Sequence, residues 1–249
     1  DLLVNNGEET YCQPCVSPVW DTGLSGLAMA EAASGPGATK PKETRERLRK
    51  SMEWLRERQI LDVKGDWAIN CPDVRPGGWA FQYENDYYPD VDDTAVVGML
   101  LHREDADGNK EAIERAREWI IGMQSRDGGW GAFDIDNDLD ALNHIPFADH
   151  GALLDPPTAD VSARCVSFLS ELGHPEDRAV IARGMEYLRK EQEPEGCWFG
   201  RWGTNYIYGT WSVLCAFNAA GVAHDDPAVE RAVHWLESVQ REDGGWGED

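Results

Sequence analysis

One spacing constrains the fold of this chain more than any other feature. In RAREWIIGMQSRDGGW, Arg115, Trp119, Gln124 and Trp130 stand 4, 5 and 6 positions apart. Arg183, Tyr187, Gln192 and Trp198 keep those intervals in RGMEYLRKEQEPEGCW, as do Arg231, Trp235, Gln240 and Trp246 in RAVHWLESVQREDGGW. A fourth copy, KSMEWLRERQILDVKGDW, holds Lys50, Trp54 and Gln59 but reaches Trp67 two positions late. A unit repeated in this way cannot bury its apolar face alone, so the chain must stack like units against one another. Each copy reads as the end of a polar-faced helix followed by a glycine-rich turn that stops it. The Gln at the helix end and the Trp beyond the turn predict an amide-on-indole contact that fastens one unit to the next.

Between the copies lie apolar segments rich in small residues: WDTGLSGLAMAEAA, DDTAVVGMLL, ADVSARCVSFLSEL and GTWSVLCAFNAAG. Asp21, Asp93, Asp160 and Thr210 are their expected N-caps, and the small residues allow helices to crowd about an axis. The pattern is inner helix, outer helix, turn, four times over. It predicts an all-α chain of about eight helices, an α/α toroid left open as a partial barrel, with residues 1–249 as one unit.

Forty-six acidic residues against 23 basic ones give a net charge of −23, which excludes nucleic acid as a partner because phosphate binding needs clustered Lys and Arg. The same charge is repelled by anionic lipid, although an apolar patch can still dock on a membrane. No run of apolar residues is long enough to span a bilayer. The chain opens without Met or a signal peptide and stops inside a GGW motif, so it reads as an internal fragment with N-terminal and C-terminal parts missing. Only Cys12 and Cys15 of the six cysteines form a CxxC pair; without a second pair they read as structural thiols in reducing surroundings.

The stretch YYPDVDDTAVVGML places Asp90, Asp92 and Asp93 directly before an apolar helix. Capping accounts for one carboxylate, and a cluster used for capping alone is the plain alternative. Three crowded carboxylates cannot all ionise cheaply, so one stays protonated near neutral pH, and the helix end stabilises the anion left after proton loss. Nearby aromatic faces stabilise cations without a lone pair that would readily capture them. Acid and aromatic lining together point to chemistry through a carbocation. The acidic run Asp134, Asp136, Asp138 and Asp140 echoes a calcium loop, but Leu139 stands where glycine is needed and Ile145 where Glu is needed. His144 and His150 lie six apart, a poor fit to helical zinc ligands, so they read as hydrogen-bonding residues and no metal or cofactor is expected.

With its Gln-to-Trp repeats (QW motifs), DVDDTAVV resembles the squalene-hopene cyclases, a family of class II triterpene cyclases. The likeness runs through SPVWDTGL, GGWAFQYENDYYPDVDDTAVV, GMQSRDGGWGAFDIDN, NHIPFADHG and WFGRWGTNYIYGT. The resemblance implies metal-free, cofactor-free polycyclisation of squalene to hopene or hopanol. It implies that Asp92 is the proton donor and that Asp90 and Asp93 shape its acidity. Asp160 matches a supporting acid of the family, with Arg164 four residues later where a His is common. Arginine is permanently charged, so its support is electrostatic rather than a proton relay. Trp20, Phe81, Phe133, Trp202 and Tyr208 match aromatic positions that line the family's cavity, Phe133 standing where a Tyr is common. The resemblance also implies a peripheral, monotopic protein on the cytoplasmic side of the membrane, docked through parts of the enzyme outside this chain, and is compatible with a homodimer. Other readings remain open at the level of sequence: another class II terpene cyclase acting on a diterpene or related polyprene, a helical-toroid glycosidase with acids on opposed walls, or a non-catalytic helical-repeat binding module.

Overall fold

A computed structural model of the chain describes residues 3–7, 9–12, 16–32, 41–145 and 153–247, leaving out the side chain of Asp140. Among the described residues eight α-helices form: α1 (Pro18–Ala32), α2 (Lys42–Arg56), α3 (Val91–Asp105), α4 (Lys110–Gly122), α5 (Ala159–Leu172), α6 (Arg178–Lys190), α7 (Tyr206–Ala219) and α8 (Pro227–Ser238). The odd-numbered helices pack side by side in the order α1, α3, α5, α7, and each even-numbered helix packs on the odd one before it. Strand among the described residues amounts to two short antiparallel pairs, β1 (Leu3–Asn5) with β2 (Thr10–Cys12) and β3 (Trp79–Ala80) with β4 (Pro89–Asp90).

Burial follows the layer. Every residue of α3 from Val91 to Leu101 and of α5 from Ala159 to Leu169 is buried, as a helix enclosed on all sides requires. The outer helices bury only a stripe: Ile113, Ala116, Trp119 and Ile120 of α4, and Gly184, Tyr187 and Leu188 of α6. Small residues set the close approach, since a Cβ at Gly98 of α3 would lie 2.6 Å from the Phe168 ring of α5. α1 and α7 are half-buried and stand at the two ends of the inner row, so the arc is open, as the repeat predicts.

The repeat device differs from the expected amide-on-indole contact. The Gln amide of the first three copies donates to two carbonyls, one in its own turn and one in the first turn of the following outer helix. Gln59 Nε2 reaches Gly77 O and Ala112 O at 2.8 and 2.9 Å, Gln124 reaches Gly128 O and Val180 O at 2.8 and 3.0 Å, and Gln192 reaches Gly196 O and Ala228 O at 2.9 Å each. In the second and third copies the turn carbonyl is presented by a glycine in the left-handed region, φ +98° at Gly128 and +104° at Gly196, which a side chain would strain. Each Trp indole instead donates back to its own outer helix: Trp130 to Ile120 O at 2.8 Å, Trp198 to Leu188 O at 2.6 Å, Trp246 to Leu236 O at 2.8 Å. The Arg of the next copy reaches backward, Arg183 to Ser125 O at 2.7 Å and Arg231 to Gln192 Oε1.

In the first copy the indole that closes the helix is Trp79, which donates to Leu55 O at 2.6 Å. Trp67, which the spacing favoured, belongs to an inserted loop and packs edge-on against Trp119 at 5.8 Å. The expected N-caps also move. Only Asp90 caps α3, and Asp21, Asp93 and Asp160 lie inside the first turns of helices that begin earlier. Thr210 lies in the second turn of α7, where its hydroxyl accepts from Trp198 N at 3.0 Å. Ser162 does the same for Trp130 N at 2.9 Å and Thr94 for Trp79 N at 3.0 Å, so an inner-helix hydroxyl holds each of these turns.

Candidate active site

The start of α3 is fixed from several directions. Asp90 adopts extended backbone and its Oδ1 accepts from Asp92 N at 2.8 Å and Asp93 N at 3.1 Å, the capping geometry proper. Thr94 Oγ1 donates to Asp90 O at 2.6 Å, and Val91 N donates to Ala132 O at 2.8 Å. Capping therefore uses one carboxylate and leaves Asp92 and Asp93 for other work.

Arg164 reaches Asp92 from α5. Its Nε lies 2.6 Å from Asp92 Oδ1 with both side chains buried, yet neither atom has an aligned hydrogen bond, so the pair is a charge contact. The guanidinium sits among three rings, 4.9 Å from the centroid of Trp20, 5.4 Å from Tyr208 and 5.3 Å from Trp211, and its Nη2 donates to the Tyr208 hydroxyl. Asp160, fully buried, does not touch this pair through a described hydrogen bond; its Oδ2 accepts from Trp202 N at 2.8 Å.

Burial dominates the electrostatics. It pushes the Asp92 carboxyl up to about 7, against the opposing pull of Arg164 and with a smaller push from Asp160. Asp90 and Asp93 are also raised, first by burial and then by like charge, Asp92 acting on Asp90 and both neighbours on Asp93. The two titrate as a pair. Two backbone N–H groups favour the anion on Asp90, so the retained proton belongs on Asp93.

A cavity of about 600 Å³ opens in front of this cluster. Trp20, Phe81, Asp90, Asp92, Asp93, Phe133, Arg164, Trp202 and Tyr208 all line it, so of the ten catalytic and lining residues that the resemblance implies, Asp160 is the one outside the lining. Phe133 and Trp202 meet edge to face, ring centroids 5.9 Å apart. Leu24 and Trp211 also line the cavity and were missed by sequence reasoning. The signal for Trp211 was its place one helical turn after Tyr208.

Two acids of the calcium-like run have structural partners. Asp136 accepts from Arg126 N at 2.9 Å and pairs with its guanidinium, and Asp134 accepts from Asn137 Nδ2 at 3.0 Å. Among the described residues no group of three or more His, Cys, Asp or Glu could hold a metal ion. Cys12 is an exposed free thiol, while Cys15 and His150 lie outside the described residues.

Comparison with known proteins places these features. The profile of the squalene-hopene cyclase C-terminal domain matches residues 16–249. The chain is 70% identical over 221 residues to a squalene-hopene cyclase of Schizosaccharomyces japonicus, covering 89% of this chain and 34% of that protein. It is 58% identical to the squalene-hopene cyclase of Bradyrhizobium diazoefficiens, covering 100% of this chain and 37% of that one. It thus spans about a third of the length of these relatives. Among solved structures, a type II terpene cyclase from Scytonema in complex with merosterolic acid A superposes with a TM-score of 0.68 at 22% identity, covering 99% of this chain and 61% of that one, which shows a shared α/α toroid fold.

Proposed function

The chain belongs to the squalene-hopene cyclase family, and on that premise we propose that it carries the initiating acid and part of the cavity of an enzyme that cyclises squalene to hopene and hopanol. The observation that carries this reading is Asp92: a carboxyl buried at the start of α3, held up to about 7, in contact with Arg164 and facing an aromatic cavity. Asp92 gives its proton to a terminal alkene carbon of squalene. The O–H bond breaks, a C–H bond forms from the alkene π pair, and a tertiary cation is left that the next alkene attacks. Ring closure moves the cation along the chain past π faces that stabilise it without trapping it. The last cation loses a proton to give hopene, or takes up water and then loses a proton to give hopanol. Either way the proton consumed is released, and Asp92 regains one from solvent.

Arg164 makes the acid strong rather than supplying the proton, because the carboxylate left after transfer already faces a guanidinium at 2.6 Å. The full-length protein incubated with squalene is expected to give pentacyclic product, and Asp92→Asn to give none, since an amide cannot protonate an alkene. Turnover by Asp92→Asn at the wild-type rate removes the assigned acid, and cyclisation of shorter polyprenes alone moves the reading to another class II cyclase.

An apolar substrate of this kind dissolves in lipid, so the reading extends to peripheral, monotopic contact with the cytoplasmic face of a membrane. No helix among the described residues is long and apolar enough to cross one. Flotation of the full-length protein with liposomes tests the contact, and ultracentrifugation tests for a homodimer.

A further inference from the structure

The stretch DPPTAD, residues 155–160, carries two buried carboxylates that serve the cavity wall through its backbone. Asp155 accepts from three successive amides, Ala132 N at 3.2 Å, Phe133 N at 2.6 Å and Asp134 N at 2.8 Å. Consecutive N–H groups converging on one anion hold a turn in a single conformation. The approach leaves no room for a side chain before it, because a Cβ at Gly131 would lie 2.7 Å from Asp155 Oδ2. Asp155 N donates to Asn137 O at 3.0 Å, closing the turn from its far side. Five residues later Asp160 accepts from Trp202 N. Pro156 and Pro157 lie between the two acids with φ fixed by their rings, which keeps the separation stiff. Phe133 and Trp202, the residues held in this way, are the edge-to-face pair of the cavity wall. The same turn offers Ala132 O to Val91 N, the first residue of α3.

We propose that Asp155 is a positioning residue for the cyclisation: its carboxylate sets where Phe133 stands against Trp202 and where that wall meets the acid-bearing helix, and so governs how many rings close before the cation is lost. The proposal rests on the cyclase reading. Asp155 does not line the cavity, and it reaches the acid cluster only as a charge acting on Asp90. A wall ring displaced by a fraction of its own width leaves an intermediate cation unsupported, and an unsupported cation loses a proton early and departs with fewer rings.

The test uses the full-length protein, squalene, and the variants Asp155→Asn and Asp155→Ala. Asparagine keeps the shape and one acceptor oxygen but turns an NH2 group toward amide donors; alanine leaves all three amides unpaired. Turnover is expected to fall about tenfold in the first and toward a hundredfold in the second, in line with the roughly hundredfold cost of a misplacement of about 1 Å. In both, the share of mono-, bi- and tricyclic products should rise. Wild-type turnover with wholly pentacyclic product in Asp155→Asn overturns the proposal. So does a loss of turnover that only tracks the loss of folded protein in a thermal melt, with ring count unchanged. If Asp155→Ala does not fold, Asp155→Asn decides. Absence of any cyclic product from the wild-type protein removes the functional reading itself and this proposal with it, a result distinct from the other two.

Discussion

At the scale of single residues, protonation of Asp92 determines the pH behaviour of the cavity. Its carboxyl is raised to about 7, and the acid acts only when protonated, so turnover is expected to be flat below that value and to fall as pH rises through it. A rate profile rising through neutrality would contradict the assignment. Asp92→Glu should leave at most a trace, because the longer side chain misplaces the proton. Arg164→His should retain product and acquire a second pH dependence near about 6.5, the ordinary value for an imidazole. An unchanged profile in that variant would show that position 164 is not electrically linked to the acid. The acid cluster was legible in the sequence because DVDDT is a local motif, and the five lining aromatics, scattered from Trp20 to Tyr208, were legible only through the family resemblance. Asp155 was not, since its role depends on amides 21 to 23 positions away that only the folded turn brings together. Nor does the sequence show how Asp160 is placed: its described hydrogen bond goes to Trp202 N, and it acts on Asp92 through charge.

Among the elements, turns and helix starts carry the lesson. Thr210 and Thr94 accept from the backbone of a Trp 12 and 15 positions earlier, and replacing either by Val removes the acceptor and leaves a buried N–H unpaired. Thr210→Val is expected to destabilise by about 1–3 kcal/mol in denaturant unfolding. A change under a few tenths of a kcal/mol would mean the contact is dispensable. Helix number, pairing and order were readable from the repeat, because apolar periodicity and glycine stops are local. Helix starts were not: Asp21 and Asp160 look like caps by residue type, yet the helices begin before them, at Pro18 and Ala159. The first copy misled for a related reason. Gln59 and its true partner Trp79 are 20 positions apart against 6 elsewhere, and Trp67, inside the insertion, sits nearer the regular interval.

For the whole molecule, the buried acids make folding depend on pH. Asp90, Asp92 and Asp93 all titrate higher when folded than in the open chain, so the folded state holds more protons between about pH 4 and 7. Stability from these groups is fully present below the unfolded value of about 3.9 and is lost as pH rises through the folded ones. Thermal unfolding of the chain should therefore occur at higher temperature at pH 5 than at pH 8, the reverse shift counting against the burial of this cluster. The clasps between repeats add an order of release. Gln59, Gln124 and Gln192 each hold the helix that follows, and Arg115, Arg183 and Arg231 of those helices reach back to the unit behind, so an interface is fastened from both sides. The inner row is thus held by double clasps, and amide exchange should run slowest in α3 and α5, each enclosed between two inner helices, since neither can leave before a neighbour does.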